Sequence, residues 1–324
     1  MTGGTERPAF ELQERDIAVL RGLLESRILT TRHVAVLFFD SRLPAAKKRV
    51  TRLIAAGLVG SRPRRPYEPA VLCLTLSGFR LLQREGHLAE LPDFGVEAFK
   101  RRAGVSPLTV RHELAVLDCK AAVVAALRLR PELQLAEFGT WPKRYAFTTI
   151  SDAGSTDTTR PDGFIRVHEQ RGEDLTEYAF YLEVDRSSET VDTLAAKAAA
   201  YRSHYRSGGF ARWCGGSPEQ YAAYPFLVLL VVQSEERRNN LCERLLRLTP
   251  PIYTQVWFAT FDDVTADPLG RIWVRPTDYL AATKGTAFDP SLDRPGPYRS
   301  RPEREQWVRE NVIRHALFAG ENAG

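Results

Sequence analysis

Residues 177–186 read Glu-Tyr-Ala-Phe-Tyr-Leu-Glu-Val-Asp-Arg. Successive side chains of a strand point to opposite faces, so Tyr181, Glu183 and Asp185 share one face while Leu182 and Val184 share the other. Carboxylates set among core-forming residues are costly to bury alone. A divalent cation offsets that cost by supplying the opposite charge. Asp162, in the turn Arg160-Pro161-Asp162-Gly163 that opens a neighbouring strand, offers a further oxygen ligand. Hard oxygen donors with no His or Cys beside them favour Mg2+ or Mn2+ over Zn2+. The competing reading is a pair of surface carboxylates satisfied by Arg186 or Arg160. Further along, a helix predicted over 189–205 carries Lys197 and Tyr201 four residues apart, hence on one face. Glu113, early in a long helix predicted over 108–129, is a candidate accessory acidic group.

These side chains need a sheet and covering helices to meet. Apolar runs predict strands over 133–141, 226–232, 255–261 and 271–274, and an amphipathic helix over 235–247. Helix, strands, helix and strand in this order predict an α/β sandwich around a mixed sheet. The sequence holds no Gly-rich phosphate loop, nucleophile elbow or internal repeat.

The first hundred residues suggest a different chemistry. Residues 1–105 hold 18 Lys and Arg against 11 Asp and Glu, a surplus of seven positive charges, whereas the remainder holds 27 against 29. Such asymmetry suggests that one half meets a polyanion, most commonly a nucleic-acid duplex. Ile17, Leu20, Leu23 and Leu24 form one helical stripe, and Thr30 is placed to cap a second helix. A third helix over 45–57 buries Val50, Leu53 and Ile54 and turns Lys47, Lys48, Arg49 and Arg52 elsewhere, with Gly57 as its stop. Two short strands around a basic, Pro-rich turn at 61–66 then make a wing, and a closing helix begins at Leu76. Three helices and a wing predict a winged helix-turn-helix, whose third helix lies in the major groove while the wing touches the flanking backbone. Arg49 and Arg52 are the candidates for base edges, because a planar guanidinium grips guanine at two points. Lys47, Lys48, Arg62, Arg64 and Arg65 are the candidates for phosphate contacts. The alternative is a winged helix used for protein contact, its arginines merely solvated. His33 reads as a helix-surface or partly buried residue, not a ligand.

A chain of 324 residues suits two domains. The pattern predicts a DNA-binding domain over 1–93, an aperiodic linker over 94–107, an α/β domain over 108–280, and a tail over 281–324 with a helix over 307–318. Cys73, Cys119, Cys214 and Cys242 are scattered without a CxxC pair, so no structural zinc is expected. The longest apolar run, 225–232, is too short to span a bilayer, and the N-terminus lacks a signal-peptide core. A soluble, cytoplasmic protein with no membrane partner is therefore expected. A homodimer stays open, although no heptad seam predicts one.

Taken in order, Arg160-Pro161-Asp162-Gly163, then Glu183-Val184-Asp185-Arg186, then Lys197 and Tyr201 resemble the PD-(D/E)XK nuclease-like core. With residues 53–59 (Leu-Ile-Ala-Ala-Gly-Leu-Val) and 74–78 (Leu-Thr-Leu-Ser-Gly) ahead of it, the chain over roughly 14–275 resembles the replication-relaxation proteins of plasmids and mobile elements. Those proteins are associated with plasmid replication and DNA relaxation. The resemblance matches Asp162 and Glu183 to the metal-binding carboxylates. The core pattern has Lys two positions after the Glu, where this chain has Asp185, and Lys197 is the candidate relocated lysine. Asp185 is then either a third metal ligand or the mark of a fold kept for DNA binding after chemistry was lost. The resemblance thus implies a DNA endonuclease or nickase dependent on Mg2+ or Mn2+. Lys197 would orient the attacking water or stabilise charge on the phosphate, and Tyr201 would add a phosphate hydrogen bond. Double-stranded DNA and other replication or mobilisation proteins are the implied partners. The alternative is a catalytically inactive DNA-binding accessory factor or transcriptional regulator. A tyrosine nucleophile of the relaxase kind is disfavoured, since no cluster of three histidines accompanies any tyrosine.

Overall fold

The computed structural model of the chain describes residues 11–62, 67–150, 156–283 and 301–318, and divides into two units, Met1–Ala121 and Ala122–Gly324. The first unit runs α1 (Glu14–Ser26), β1 (Ile28–Thr30), α2 (Thr31–Phe38), α3 (Leu43–Ala55), β2 (Val59–Ser61), β3 (Val71–Leu74), α4 (Leu76–Arg84), α5 (Val96–Ala103) and α6 (Pro107–Leu127), the last passing the division. Its three strands form an antiparallel sheet in the order β1-β3-β2. Thr30 caps α2 as its position suggested: its hydroxyl accepts from the His33 N–H at 3.1 Å, and His33 Nδ1 accepts from the Thr30 N–H at 3.2 Å. His33 is buried, with Nε2 2.8 Å from Asp118. Gly57 ends α3 at φ +71°, where Leu58 N–H reaches the Leu53 carbonyl at 3.0 Å.

Two local expectations need correction here. Ile54 is 40% exposed, because the buried stripe of α3 is Ala46, Val50 and Leu53 and the next residue turns away from it. The stretch 94–107 is not aperiodic coil throughout, since it holds α5. In that helix Phe99 stacks on Phe79 at 4.5 Å while Phe94 meets Phe79 edge-on at 5.9 Å. An eight-residue helix anchored by one aromatic ring gives too few apolar positions for a period to be visible.

The second unit runs β4 (Leu133–Gly139), a 3-10 turn at Pro142–Arg144, β5 (Phe147–Ile150), β6 (Thr156–Thr159), β7 (Gly163–Arg171) and β8 (Asp174–Val184). It continues through α7 (Val191–Arg206), α8 (Gly209–Trp213), a second 3-10 turn at Pro218–Ala223, β9 (Leu227–Val232), α9 (Glu235–Leu246), β10 (Val256–Thr260), α10 (Phe261–Ala266), α11 (Pro276–Thr283) and α12 (Arg301–Asn311). The class is α/β, built on a mixed five-stranded sheet in the order β10-β9-β8-β7-β4. β9 lies parallel to β8 and β10, whereas β7 is antiparallel to β8 and β4. The parallel centre is buried on both sides, which is why β9 reads as an unbroken apolar run. α7 and α9 cover the face that carries Phe164 and Tyr181, with Leu194, Ala198 and Tyr201 from α7 and Leu241, Cys242 and Leu245 from α9 in the same core.

On the opposite face Tyr178 and Phe180 meet Phe318 at 5.2 and 5.9 Å. The tail thus belongs to the unit. Its helix is α12, earlier than the predicted 307–318, because Pro302 sits in the first helical turn, where the missing N–H costs nothing. Val308 is buried, and after the helix His315 bridges to Trp273. Residues 271–274 supply two isolated bridges, Phe258 to Val274 and Trp273 to His315, in place of a strand. Among the described residues all four cysteines are free, and no helix is long and apolar enough to cross a membrane.

Candidate functional site

Asp162 stands one residue ahead of β7, where its N–H continues the ladder to the Leu182 carbonyl at 3.1 Å. Its Oδ2 accepts from the Val184 N–H at 2.9 Å, so the β8 backbone pins this carboxylate beside Glu183. Glu183, the next-to-last residue of β8, is 2% exposed. α7 begins after Thr190, whose hydroxyl caps the Thr193 N–H at 3.1 Å. That start sets Lys197 and Tyr201 one turn apart over the strand. Lys197 Nζ lies 3.1 Å from Glu183 Oε2, and the Tyr201 hydroxyl donates to Glu183 Oε1 at 2.5 Å. Lys197 also reaches Glu189 Oε1 at 3.3 Å.

Burial first, then the negative charge of Asp162, pushes the Glu183 carboxyl up to about 7, against the opposing pull of Lys197 and Tyr201. Burial alone would lower the Lys197 amine, yet Glu183, Asp162 and Glu189 hold it above its ordinary value, so it stays cationic. The structure therefore brings Asp162, Glu183, Lys197 and Tyr201 together, and it adds Glu189.

Three expected roles change. Tyr201 is fully buried, and its hydroxyl is spent on Glu183, so it orients that carboxylate and does not face a phosphate. Asp185 leaves the group: Oδ1 accepts from the Ser187 N–H at 2.8 Å and Oδ2 accepts from Arg237 Nε at 2.7 Å. Arg237, on α9, also donates to the Glu189 carbonyl at 2.5 Å. The cause is chemical: a carboxylate with a fully buried side chain needs a cation, and a guanidinium supplies one. Glu183 and Asp185 are both buried, so neither is a surface carboxylate. Glu113 belongs to the first unit, where it is buried and pairs with Arg27 at 3.3 Å. Among the described residues, no group of three or more His, Cys, Asp or Glu is placed to hold a metal ion.

In the first unit, Lys47, Lys48 and Arg52 are exposed on α3, together with Leu43, Thr51 and Ile54. Arg49 is not with them. Its Nε lies 2.6 Å from Asp16 Oδ1, its Nη2 bonds Asp16 Oδ2, and Nη2 also reaches the Glu11 carbonyl at 2.8 Å. Asp16 is wholly buried, so the guanidinium planned for a base edge is committed to that carboxylate. Arg62 donates to the Val105 carbonyl at 2.6 Å. Arg64 and Arg65 lie outside the described residues.

Residues 20–219 match the replication-relaxation family. The chain belongs to the replication-relaxation family. Membership suggests a role in plasmid or mobile-element replication or relaxation. No curated protein and no solved structure matches the chain. The span matched to the replication-relaxation family takes in α3, Asp162, Glu183, Glu189, Lys197 and Tyr201. It stops before β9 and α9, so the partner of Asp185 lies beyond it. Two residues of this cluster were not expected from the sequence. Glu189 carried a signal that was available, since an acid directly before a Thr cap is held at the mouth of the next helix. Arg237 carried none: it is one of two adjacent arginines, 52 residues from Asp185.

Proposed function

We propose that this chain is a DNA-binding protein of plasmid or mobile-element replication or relaxation, with a winged helix for duplex DNA and a PD-(D/E)XK nuclease-like core for phosphodiester chemistry. The winged-helix reading is supported by the order helix, strand, two helices, hairpin and helix, with the hairpin strands β2 and β3 paired and β3 joined to β1. α3 then enters the major groove. Arg52, with Thr51 beside it, replaces Arg49 at the base edges, while Lys47 and Lys48 take phosphates.

One observation carries the second half of the reading: Lys197, arriving from α7, lies 3.1 Å from Glu183 while the charge of Asp162 acts on the same carboxyl. A buried carboxylate and a half-buried one that repel each other, beside a lysine, form a donor set that fits Mg2+ or Mn2+ held by two carboxylates and water. It does not fit three carboxylates, because Asp185 is paired with Arg237. Such a cation polarises a phosphate and lowers the pKa of water. The chain supplies the rest. Tyr201 fixes Glu183 in one orientation, and Glu189 with Glu183 holds the Lys197 amine cationic where phosphate charge would build.

A second reading, DNA binding without cutting, is favoured by the pairing of Asp185 with Arg237 at 2.7 Å, which takes one of the three expected carboxylates out of the group. Supercoiled plasmid incubated with the full chain and Mg2+ or Mn2+ separates the two. Nicking that disappears in Asp162→Ala and in Glu183→Ala supports the nuclease reading. Intact plasmid in both metals, with duplex binding retained, overturns it and leaves the DNA-holding role.

A further inference from the structure

The sheet face that carries Asp162 continues along β7 to Phe164 and Arg166, since residues two apart share a face. At strand spacing these lie about 7 and 13 Å along from Asp162. Trp213, the last residue of α8, sits over that end of the face. Its ring lies 5.0 Å from Phe164, edge to face, and 5.6 Å from Phe210, with Tyr145 at 6.3 Å. The indole is thus held by three other aromatic rings, yet it remains 44% exposed. A large aromatic side chain so firmly supported and so open to solvent is unusual in a core that otherwise buries its rings.

The charges around it have one sign in excess. The Arg166 guanidinium carbon lies 5.6 Å from the Trp213 ring centre. Arg212 precedes Trp213, and Lys143 and Arg144 precede Tyr145; all three are exposed. Glu177, 3.7 Å from Arg166, Glu137, which lies opposite Arg166 on β4 and accepts from the Tyr145 hydroxyl at 2.7 Å, and Glu219, near Arg212, offset this only in part.

We propose that Trp213 is a stacking platform for an unpaired base of single-stranded DNA, with Arg166, Arg212, Lys143 and Arg144 holding the phosphates beside it. Stacking on an indole needs the flat face of a base, which neighbouring base pairs cover in a duplex, so an opened strand is the occupant that fits. The basic side chains supply the sequence-independent grip that accompanies such stacking. The proposal rests on the DNA-binding reading above and names a substrate form for it.

Fluorescence anisotropy of the full chain with labelled oligo-dT, beside a labelled duplex of equal length, tests this. Trp213→Ala should weaken oligo-dT binding about tenfold while the duplex affinity stays within twofold; Trp213→Phe should restore most of the loss. Lys143→Ala with Arg144→Ala should flatten the salt dependence of oligo-dT binding by about 1.4 in log–log slope. Unchanged oligo-dT affinity in Trp213→Ala, with duplex binding intact and thermal unfolding unaltered, overturns the platform alone. Failure of the unsubstituted chain to bind either DNA overturns the DNA-binding reading and the platform with it.

Discussion

Asp16 with Arg49 in the first unit and Asp185 with Arg237 in the second are the same device in different settings. Each joins an aspartate whose side chain has no exposed surface to a guanidinium that is 12% or 17% exposed. Each also removes a residue from a row expected from the sequence and leaves the other members in place. Arg49 leaves Lys47, Lys48 and Arg52 on the open side of α3; Asp185 leaves Glu183 beside Asp162 and Lys197. The two pairs differ in what else they hold. Arg49 ties α3 to α1 and also reaches the Glu11 carbonyl. Arg237 ties α9 to the turn after β8, and through the Glu189 carbonyl it sets the residue that touches Lys197. A charged side chain next to a functional row is therefore either a member of it or the anchor that holds it, and the choice is made by a distant residue.

The comparison breaks most visibly at Arg49. Arg49→Met leaves Asp16 buried without a counter-charge, and loss of one partner of a buried pair costs about 3–5 kcal/mol. Urea unfolding should show that loss. A loss below about 1 kcal/mol would return Arg49 to the DNA-facing set. Arg237→Met should cost about as much, ~3–5 kcal/mol, because each aspartate keeps one backbone donor, Asp185 the Ser187 N–H and Asp16 the Gln13 N–H. It should also loosen Glu189, so amide exchange in residues 186–190 should rise more than in α7. Equal protection in both places would show that Arg237 does not position that turn.

What was legible in the sequence follows the same division. β7, β8, β9, α7 and α9 announce themselves through period and apolar runs, because burial on one or both faces fixes their pattern. The resemblance to the nuclease-like core joined Lys197 to Asp162, Glu183 and Asp185, and of these four the structure brings Asp162, Glu183 and Lys197 together while Asp185 goes to Arg237. The hairpin of β5 and β6 was not legible, because it is four residues a side and buries one side chain of each strand. α5 was hidden for want of a stripe. Neither guanidinium anchor was legible: Arg49 sits 33 residues from its partner and Arg237 sits 52 from its own, and nothing local distinguishes either from a solvated arginine.

A buried ionisable group without such a pair sharpens the contrast. His204 is 6% exposed, its ring stacks on Phe147 at 4.0 Å, and burial, then the charge of Arg212, lowers its pKa from 6.5 to about 4. In the unfolded chain the imidazole takes its proton near pH 6.5, but in the folded protein it does so only near 4. Its contribution to stability is therefore present above pH 6.5 and is lost as pH falls through that window, by on the order of 2–3 kcal/mol. Glu183, raised to about 7, acts the other way: between its ordinary 4.5 and 7 the folded protein keeps a proton that the unfolded chain has released. The readout is therefore the difference between His204→Phe and the unsubstituted chain. The variant should gain in relative stability from pH 7 to pH 4. A difference that does not vary with pH would mean that His204 titrates normally.

The smallest effect on stability belongs to the row that Arg49 vacated. Lys47 and Lys48 are exposed and hold no buried partner among the described residues, so replacing both with Ala should change unfolding by less than about 0.5 kcal/mol. Binding should respond differently. Each lysine that neutralises a phosphate releases counterions, and loss of the two should flatten the duplex salt dependence by about 1.8 in log–log slope. The effect should be alike for unrelated sequences, since phosphate contacts carry no base information. Arg52→Ala should instead narrow the gap between preferred and random duplexes. If Lys47→Ala with Lys48→Ala leaves the slope unchanged, α3 does not lie along the backbone. The exposed row on α3, with Leu43 and Ile54 beside its lysines, would then be a protein-binding face whose cations are solvated.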